Sequence, residues 1–311
     1  FCQQKYAQAG FEFLRVTSDA RSGALGEAVN SIYGFSGALF HNPASMGEMP
    51  GMIDASFSVN KWIADINHLS ASLIFSPVKG NYGNFGLSLQ SVDYGDVQGT
   101  ILAPELPDGY IDTQIFNPSA LAIGVGYAKM LNDKFSVGGQ VRYATQKLGQ
   151  SEIPYDDEEG NYTKDNEANA WAFDFGTLYR FGIKSLAFGM SVRNFSTDVK
   201  YEQEDFQLPL TFTLGISANV FDFVEIEGPE QALLLSIDTA HPLAHPEQVK
   251  IGLEYNFVQS FFLRGGYIGG NSQDDFTFGF GVAKFGLELD YAYTPFEWFE
   301  NVQRITVRYS L

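Results

Sequence analysis

The stretch Ala120–Met130, "ALAIGVGYAKM", alternates with period two. Leu121, Ile123, Val125 and Tyr127 fall on one side, and Ala122, Gly124, Gly126 and Ala128 on the other. Successive side chains of a strand point to opposite faces, so the run reads as a strand with a bulky row and a small row. The same grammar recurs in "KFSVGGQVRYA" (134–144), "DFTFGFGVAKF" (275–285), "FGLELDYAY" (285–293) and "QRITVRYSL" (303–311). Counting such runs predicts about fourteen antiparallel strands, over 52–61, 66–77, 83–92, 118–130, 134–147, 169–181, 185–196, 209–221, 231–240, 247–258, 260–269, 274–284, 285–294 and 302–311. Most have the roughly 9–11 residues with which a tilted strand crosses a bilayer.

Composition agrees with an alternating text. Apolar residues make up 45% and aromatics 15%, with 28 Phe and 16 Tyr, yet mean hydropathy is only -0.10 because the two rows cancel. No apolar run is long enough for a transmembrane helix, so a membrane-spanning reading requires a β-barrel. The small row also carries charges of both signs, among them Arg142, Asp174, Arg180, Arg193, Asp238, Lys250 and Glu254. Arg264, Glu288, Asp290, Arg304 and Arg308 continue it. In a soluble sandwich this row faces water; in a membrane barrel it lines the lumen. Alternation alone does not separate the two.

The connections do. The links after the second, fourth, sixth, tenth and twelfth strands are short, and those after the third, fifth and seventh are long and polar. Two links depart from the rule: the one after the first strand is short, and the one after the eighth is longer than expected. An even-stranded outer-membrane barrel sorts its links this way, with short periplasmic turns and longer external loops. The chain is therefore read as an all-β outer-membrane barrel at 51–311, with both chain ends periplasmic. Residues 1–50 form a preface of different character. In it, Ser18 or Asp19 is a candidate N-cap for a helix over Ala20–Ala28, and Asn42-Pro43-Ala44 is a candidate hinge. Small residues suit a short helical plug inside a lumen lined by Gly, Ala and Ser, and Arg21 is assigned to that plug.

At "FLRVTSDARSGALGEA" (13–28), "ALFHNPASM" (38–46), "NKWIADINH" (60–68), "LSLQSVDYGDV" (87–97), "LAIGVGYAKML" (121–131) and the ending "LELDYAYTPFEWFENVQRITVRYSL" (287–311), the chain resembles the PorV/PorQ family. These are outer-membrane proteins of Bacteroidota type, related to the FadL long-chain fatty-acid transporters. The resemblance implies a fourteen-stranded barrel with an N-terminal plug, and participation in type IX secretion. In that system such proteins accompany a large translocon barrel, accept the C-terminal signal domains of secreted cargo, and shuttle them to surface attachment.

Composition excludes other classes. A formal charge of -18 argues against nucleic acid. The single cysteine, Cys2, cannot form an internal disulfide, and stands as a lipid attachment site, a free thiol or a plain tail residue. No catalytic constellation is visible, and no cofactor or metal is expected. His41, His68, His241 and His245 lack a ligand framework. The acidic run Tyr155–Glu167 lacks the spacing of a calcium loop and reads as a solvated external loop. Glu288 and Asp290 are expected to pair with Arg304, Arg308 or plug groups. Trp62, Trp171 and Trp298 fall at the outer end, as an interfacial aromatic belt or as anchors for a partner protein. Expected surroundings are outer-membrane lipid, a translocon barrel and cargo. The rival readings are a FadL-like transporter of small hydrophobic molecules and a passive porin.

Overall fold

The computed structural model describes residues 9–104, 106–154, 161–197, 199–200, 205–224, 231–270, 276–296 and 300–311. The wall begins with β1 (Ile53–Lys61), β2 (Asn67–Phe75) and β3 (Asn84–Asp93). Next, β4 (Val97–Leu102) and β5 (Tyr110–Phe116) form a hairpin of their own. The wall resumes with β6 (Ser119–Asn132), β7 (Phe135–Pro154), β8 (Asn161–Arg180) and β9 (Ala187–Phe195). A second small hairpin, β10 (Val199–Lys200) and β11 (Asp205–Phe206), interrupts it again. The remaining wall strands are β12 (Thr211–Asn219), β13 (Gln231–Pro242), β14 (Gln248–Phe257), β15 (Phe261–Gly269), β16 (Phe276–Lys284), β17 (Leu287–Thr294) and β18 (Val302–Ser310).

Fourteen of these strands form one closed antiparallel barrel, each paired with its sequence neighbours in the wall. Pairing of β1 with β18, from Asp54 opposite Ser310 to Lys61 opposite Gln303, completes the ring. The predicted strands recur at their predicted places. The departures are at the long links: β7 and β8 continue well past the predicted ends as a paired extension, and the link after β3 folds into the β4–β5 hairpin.

Burial decides which row faces where. The bulky row is outside, with Phe57, Leu87, Val125, Phe278 and Ile305 all exposed, while Ser58, Ser88, Thr277 and Thr306 of the other row are buried. An apolar band of this extent around a closed barrel is the surface of a protein solvated by lipid, not water. The sandwich reading is thereby removed, and the charged row lines the lumen.

The preface fills that lumen. Gly10 N–H donates to the Gln207 carbonyl, at the mouth bearing the long links, and Phe11 stacks on Phe206 with ring centres 6.0 Å apart. At the far end Met52 N–H donates to the Leu311 carbonyl, at the mouth bearing the short links. The first described residues and the last residue thus lie at opposite mouths. The cause is apolar: Phe11, Phe13 and Leu14 find their seat against Val92, Ala122, Ala144, Ala172 and Leu208 inside the long-link mouth.

Candidate functional site

The plug is built from small pieces because the lumen leaves room for little else. Asp19 caps α1 (Ala20–Ala24), its Oδ1 accepting from Ser22 N–H at 2.8 Å. The helix is shorter than the predicted Ala20–Ala28, since Gly26 and Glu27 take left-handed backbone conformations and end it. At that turn the plug backbone lies against the wall so closely that a β-carbon at Gly266 would overlap the Leu25 carbonyl carbon. The inward glycines of the wall therefore form the bed for the plug.

The predicted hinge is a buried tie. Asn42 is fully buried and caps the short 3-10 turn Pro43–Gly47, its Oδ1 accepting from Ala44 N–H at 3.0 Å. Its Nδ2 donates to the Asn30 carbonyl at 2.8 Å and to the Thr177 carbonyl of β8 at 3.1 Å. Asn30 in turn takes Asp238 as acceptor for its N–H and accepts from Ser191 Oγ at 2.6 Å. Pro43 and Ala44 pack over Gly138 and Gly176 of the wall.

Arg21 is the ionic latch. Its guanidinium donates through Nε and Nη2 to the two Glu254 carboxylate oxygens at 2.8 and 2.7 Å. Glu254 also accepts from Arg264 Nε at 2.6 Å. Arg264, whose side chain is wholly buried, reaches Glu288 at 3.0 Å and Asp290 with its other two nitrogens. Arg308 joins Glu288 at 2.9 Å and Asp54 at 2.7 Å, and donates to the Gly34 carbonyl of the plug at 2.6 Å. The expected pairing of Glu288 with Arg308 is present. Asp290 instead pairs with Arg264, and Arg304 bonds Thr294 and lies 5.4 Å from the Trp62 ring. Such forked pairs fix geometry as well as charge.

Nearer the long-link mouth, Glu27 of the plug accepts from Lys250 Nζ at 2.6 Å and from Thr17 Oγ1. Burial alone would raise the Glu27 carboxyl; Lys250 and Thr17 overcome it and hold the group well below the usual range. Burial, reinforced by Arg193, pushes His41 down to about 3, with Asp19 only 4.0 Å away. A group whose folded pKa is depressed gives stability above its unfolded pKa that is lost as pH falls toward the folded one. For His41 that window opens at about 6.5 and costs up to about 1.4 kcal/mol per pH unit; Glu27 adds to the loss below about 4.3. The protection factors of plug amides, taken against the intrinsic exchange rate at each pH, are therefore expected to fall as pH drops from 7 to 4. A His41→Gln variant should flatten the upper part of that curve, and an unchanged profile in it would remove His41 as the cause.

At the same mouth β9 carries a bulge. Asn194 has φ 61, and the β8–β9 register shifts between Phe173 and Phe175. The extra residue turns both Arg193 and Asn194 inward, where strict alternation would have sent one to lipid. Asn194 is held on all sides: its N–H donates to Asp174 at 2.7 Å, its side chain donates to the Pro209 carbonyl at 3.0 Å and accepts from Arg142. Period-two reading carries no signal for such a bulge, so the pairing of these two inward residues is visible only in three dimensions.

The tryptophans separate. Trp62 is half-buried in the link after β1, edge-on to Phe296 at 5.9 Å and to His68 at 6.0 Å. Trp171 is 58% exposed on the outward row of β8, beside Tyr143 at 5.1 Å. Trp298 lies outside the described residues, as do 155–160 of the acidic run. His241 pairs with Glu247 at 3.2 Å, and His245 with Glu12 at 3.4 Å. Among the described residues no group of three or more His, Cys, Asp or Glu is placed to hold a metal ion.

Comparison with solved structures gives the fold. The chain is similar to the CymD monoaromatic hydrocarbon channel at TM-score 0.63 and 12% identity, over 95% of this chain and 98% of that one. It is similar to the toluene transporter TodX of Pseudomonas putida at TM-score 0.62 and 13% identity, over 98% of each chain. A Pseudomonas aeruginosa FadL homologue follows at TM-score 0.59 and 10% identity, over 95% of this chain and 98% of that one. No curated protein sequence matches. A family model described as type IX secretion system membrane protein PorP/SprF matches residues 114–295. That description does not name PorV/PorQ, so the resemblance holds at the coarser level of a type IX secretion membrane protein with a FadL-like barrel. The match covers more than half of the chain, and the protein belongs to the PorP/SprF family of type IX secretion system membrane proteins.

Proposed function

We propose that this protein is a non-enzymatic barrel subunit of a type IX secretion system, binding translocon or cargo at its long-link mouth. In this reading the long-link mouth faces outward and Leu311 faces the periplasm. The observation that carries it is the β4–β5 hairpin, which leaves the wall and presents apolar residues: Leu102 is 81% exposed, and Tyr110, Ile111 and Ile115 are exposed with it. It leans on the β7 extension through Gln114 Nε2 donating to Gln150 Oε1 at 2.8 Å. Together the two hairpins give a protein partner a firm, partly apolar surface. Carriage of cargo by a PorV/PorQ-like shuttle is the finer form of this reading.

The test is co-purification from native membranes. Replacing 148–166 by a tight turn, together with Leu102→Ser and Ile115→Ser, is expected to cut recovery of a large barrel partner or a secreted protein by at least tenfold. Full recovery would sink the idea. The 198–207 link is the wrong place to cut, because Phe206 and Gln207 also hold the entry of the plug.

A second reading is transport of small hydrophobic molecules, which the likeness to the hydrocarbon channels favours. Against it stands a lumen filled by ion pairs and small residues, with little apolar lining. Lipid or aromatic hydrocarbon retained in the purified barrel would favour it.

A further inference from the structure

A cavity of about 120 Å³ lies between the plug and the long-link mouth, lined among others by Arg15, Glu27, Trp62, Arg193, Lys250 and Phe296. Its charges can be paired off. Lys250 is matched by Glu27 at 2.6 Å, and Arg15 by Glu12 at 3.0 Å. Arg193 has no carboxylate in contact among the described residues: Asp174 and Glu27 act on it from farther off but are engaged by Arg142 and Lys250, and it donates through Nη1 to the Phe40 carbonyl at 2.7 Å. It is nevertheless only 9% exposed. A guanidinium has five N–H donors, and a buried cation without a counter-ion is unfavourable unless something supplies one. Ordinary alternation from Ala187, Gly189 and Ser191 turns Arg193 into the lumen, and the bulge adds Asn194 beside it.

From this we infer that the cavity is a binding site for a single carboxylate on a short apolar stem, presented by a polypeptide as its C-terminus or as an acidic side chain. One unmatched positive charge calls for one negative charge, and a planar fork suits a carboxylate. Trp62 and Phe296 meet edge to face at one wall of the cavity and supply apolar contact for the stem. The volume decides the size class: drug-sized ligands occupy roughly 300–1,000 Å³, so this cavity admits a chain end or one side chain rather than a long hydrocarbon. The inference rests on the reading of the long-link mouth as a protein-binding face.

The experiment uses the full chain in detergent. Trp171→Phe and Trp298→Phe leave Trp62 as the sole tryptophan, and its fluorescence reports on the cavity. Four probes are titrated: N-acetyl-alanine, its amide, and a neutral tetrapeptide with a free or an amidated C-terminus. A saturable change is expected with both free carboxylates and at least tenfold weaker binding of both amides. Arg193→Gln should lose at least tenfold in affinity for the free carboxylates while keeping the heat-resistant gel mobility of the folded barrel. Should that variant not fold, Arg193→Lys, which keeps the charge and loses the fork, should weaken the free peptide at least threefold. Equal response to acid and amide, or unchanged affinity in the Arg193 variants, overturns the site. Binding of the free acid without the peptide overturns the polypeptide source. Co-purification of partners is scored separately in the same variants, so the site can fail while the secretion reading stands.

Discussion

Replacing Arg264 by alanine is expected to destabilise the barrel by about 3–5 kcal/mol, the usual result of removing one partner from a buried ionic cluster. Arg264 is wholly enclosed and touches Glu254, Glu288 and Asp290. Without it Glu254 keeps Arg21 and Glu288 keeps Arg308, but Asp290 retains no cation in contact among the described residues. The loss should appear as a lower unfolding midpoint in urea and a lower temperature for the gel shift of the folded barrel. Adding Asp290→Asn to Arg264→Ala should recover part of the loss, because the orphaned charge is what costs most. Equal stability of wild type and Arg264→Ala would show that water reaches the cluster freely and that the latch is weak.

The second large effect concerns the seal. Gly176→Val should unseat the plug and turn a silent barrel into a conducting one. A β-carbon at Gly176 would overlap Asn42 Oδ1, and the hinge has no room to retreat. The position of a β-carbon at Gly138, on the neighbouring strand, is already 2.6 Å from the Pro43 carbonyl. Displacing Asn42 also strips partners from the buried Asn30 carbonyl and Ala44 N–H and from the half-buried Thr177 carbonyl. In planar bilayers the wild-type protein should show no steady conductance and Gly176→Val frequent openings. Steady conductance of the intact protein would revive the passive porin and remove the plug as a seal.

The wall was legible in the sequence because one row of every strand had to meet lipid and the other a crowded lumen. Leu121 through Tyr127 and Ile305 through Tyr309 show that contrast without help from neighbours. The β4–β5 hairpin shows none: both faces of "VQGTIL" and "YIDTQIF" are largely exposed, so no period marks them as strands. Asp19 and Asn42 were readable as caps because capping is local, acting over two or three residues. The pairing of Arg21 with Glu254 spans 233 residues of chain, and nothing local announces it. The bulge at Asn194 was hidden for a related reason. It is set by Asp174 and Pro209 on other segments rather than by its own neighbours.

The path of the preface fixes an order of assembly. The chain enters at the long-link mouth beside Gln207, runs the depth of the lumen, and leaves beside Leu311 to become β1. A finished ring would have to be threaded, with the bulky Phe11 and Phe13 drawn past a bed that admits little more than glycine and serine. Whichever seam zips last, the wall closes around a segment already lying in its bed. The ion pairs and hydrogen bonds that hold the plug in the finished barrel also act before closure, as the template on which the sheet curls.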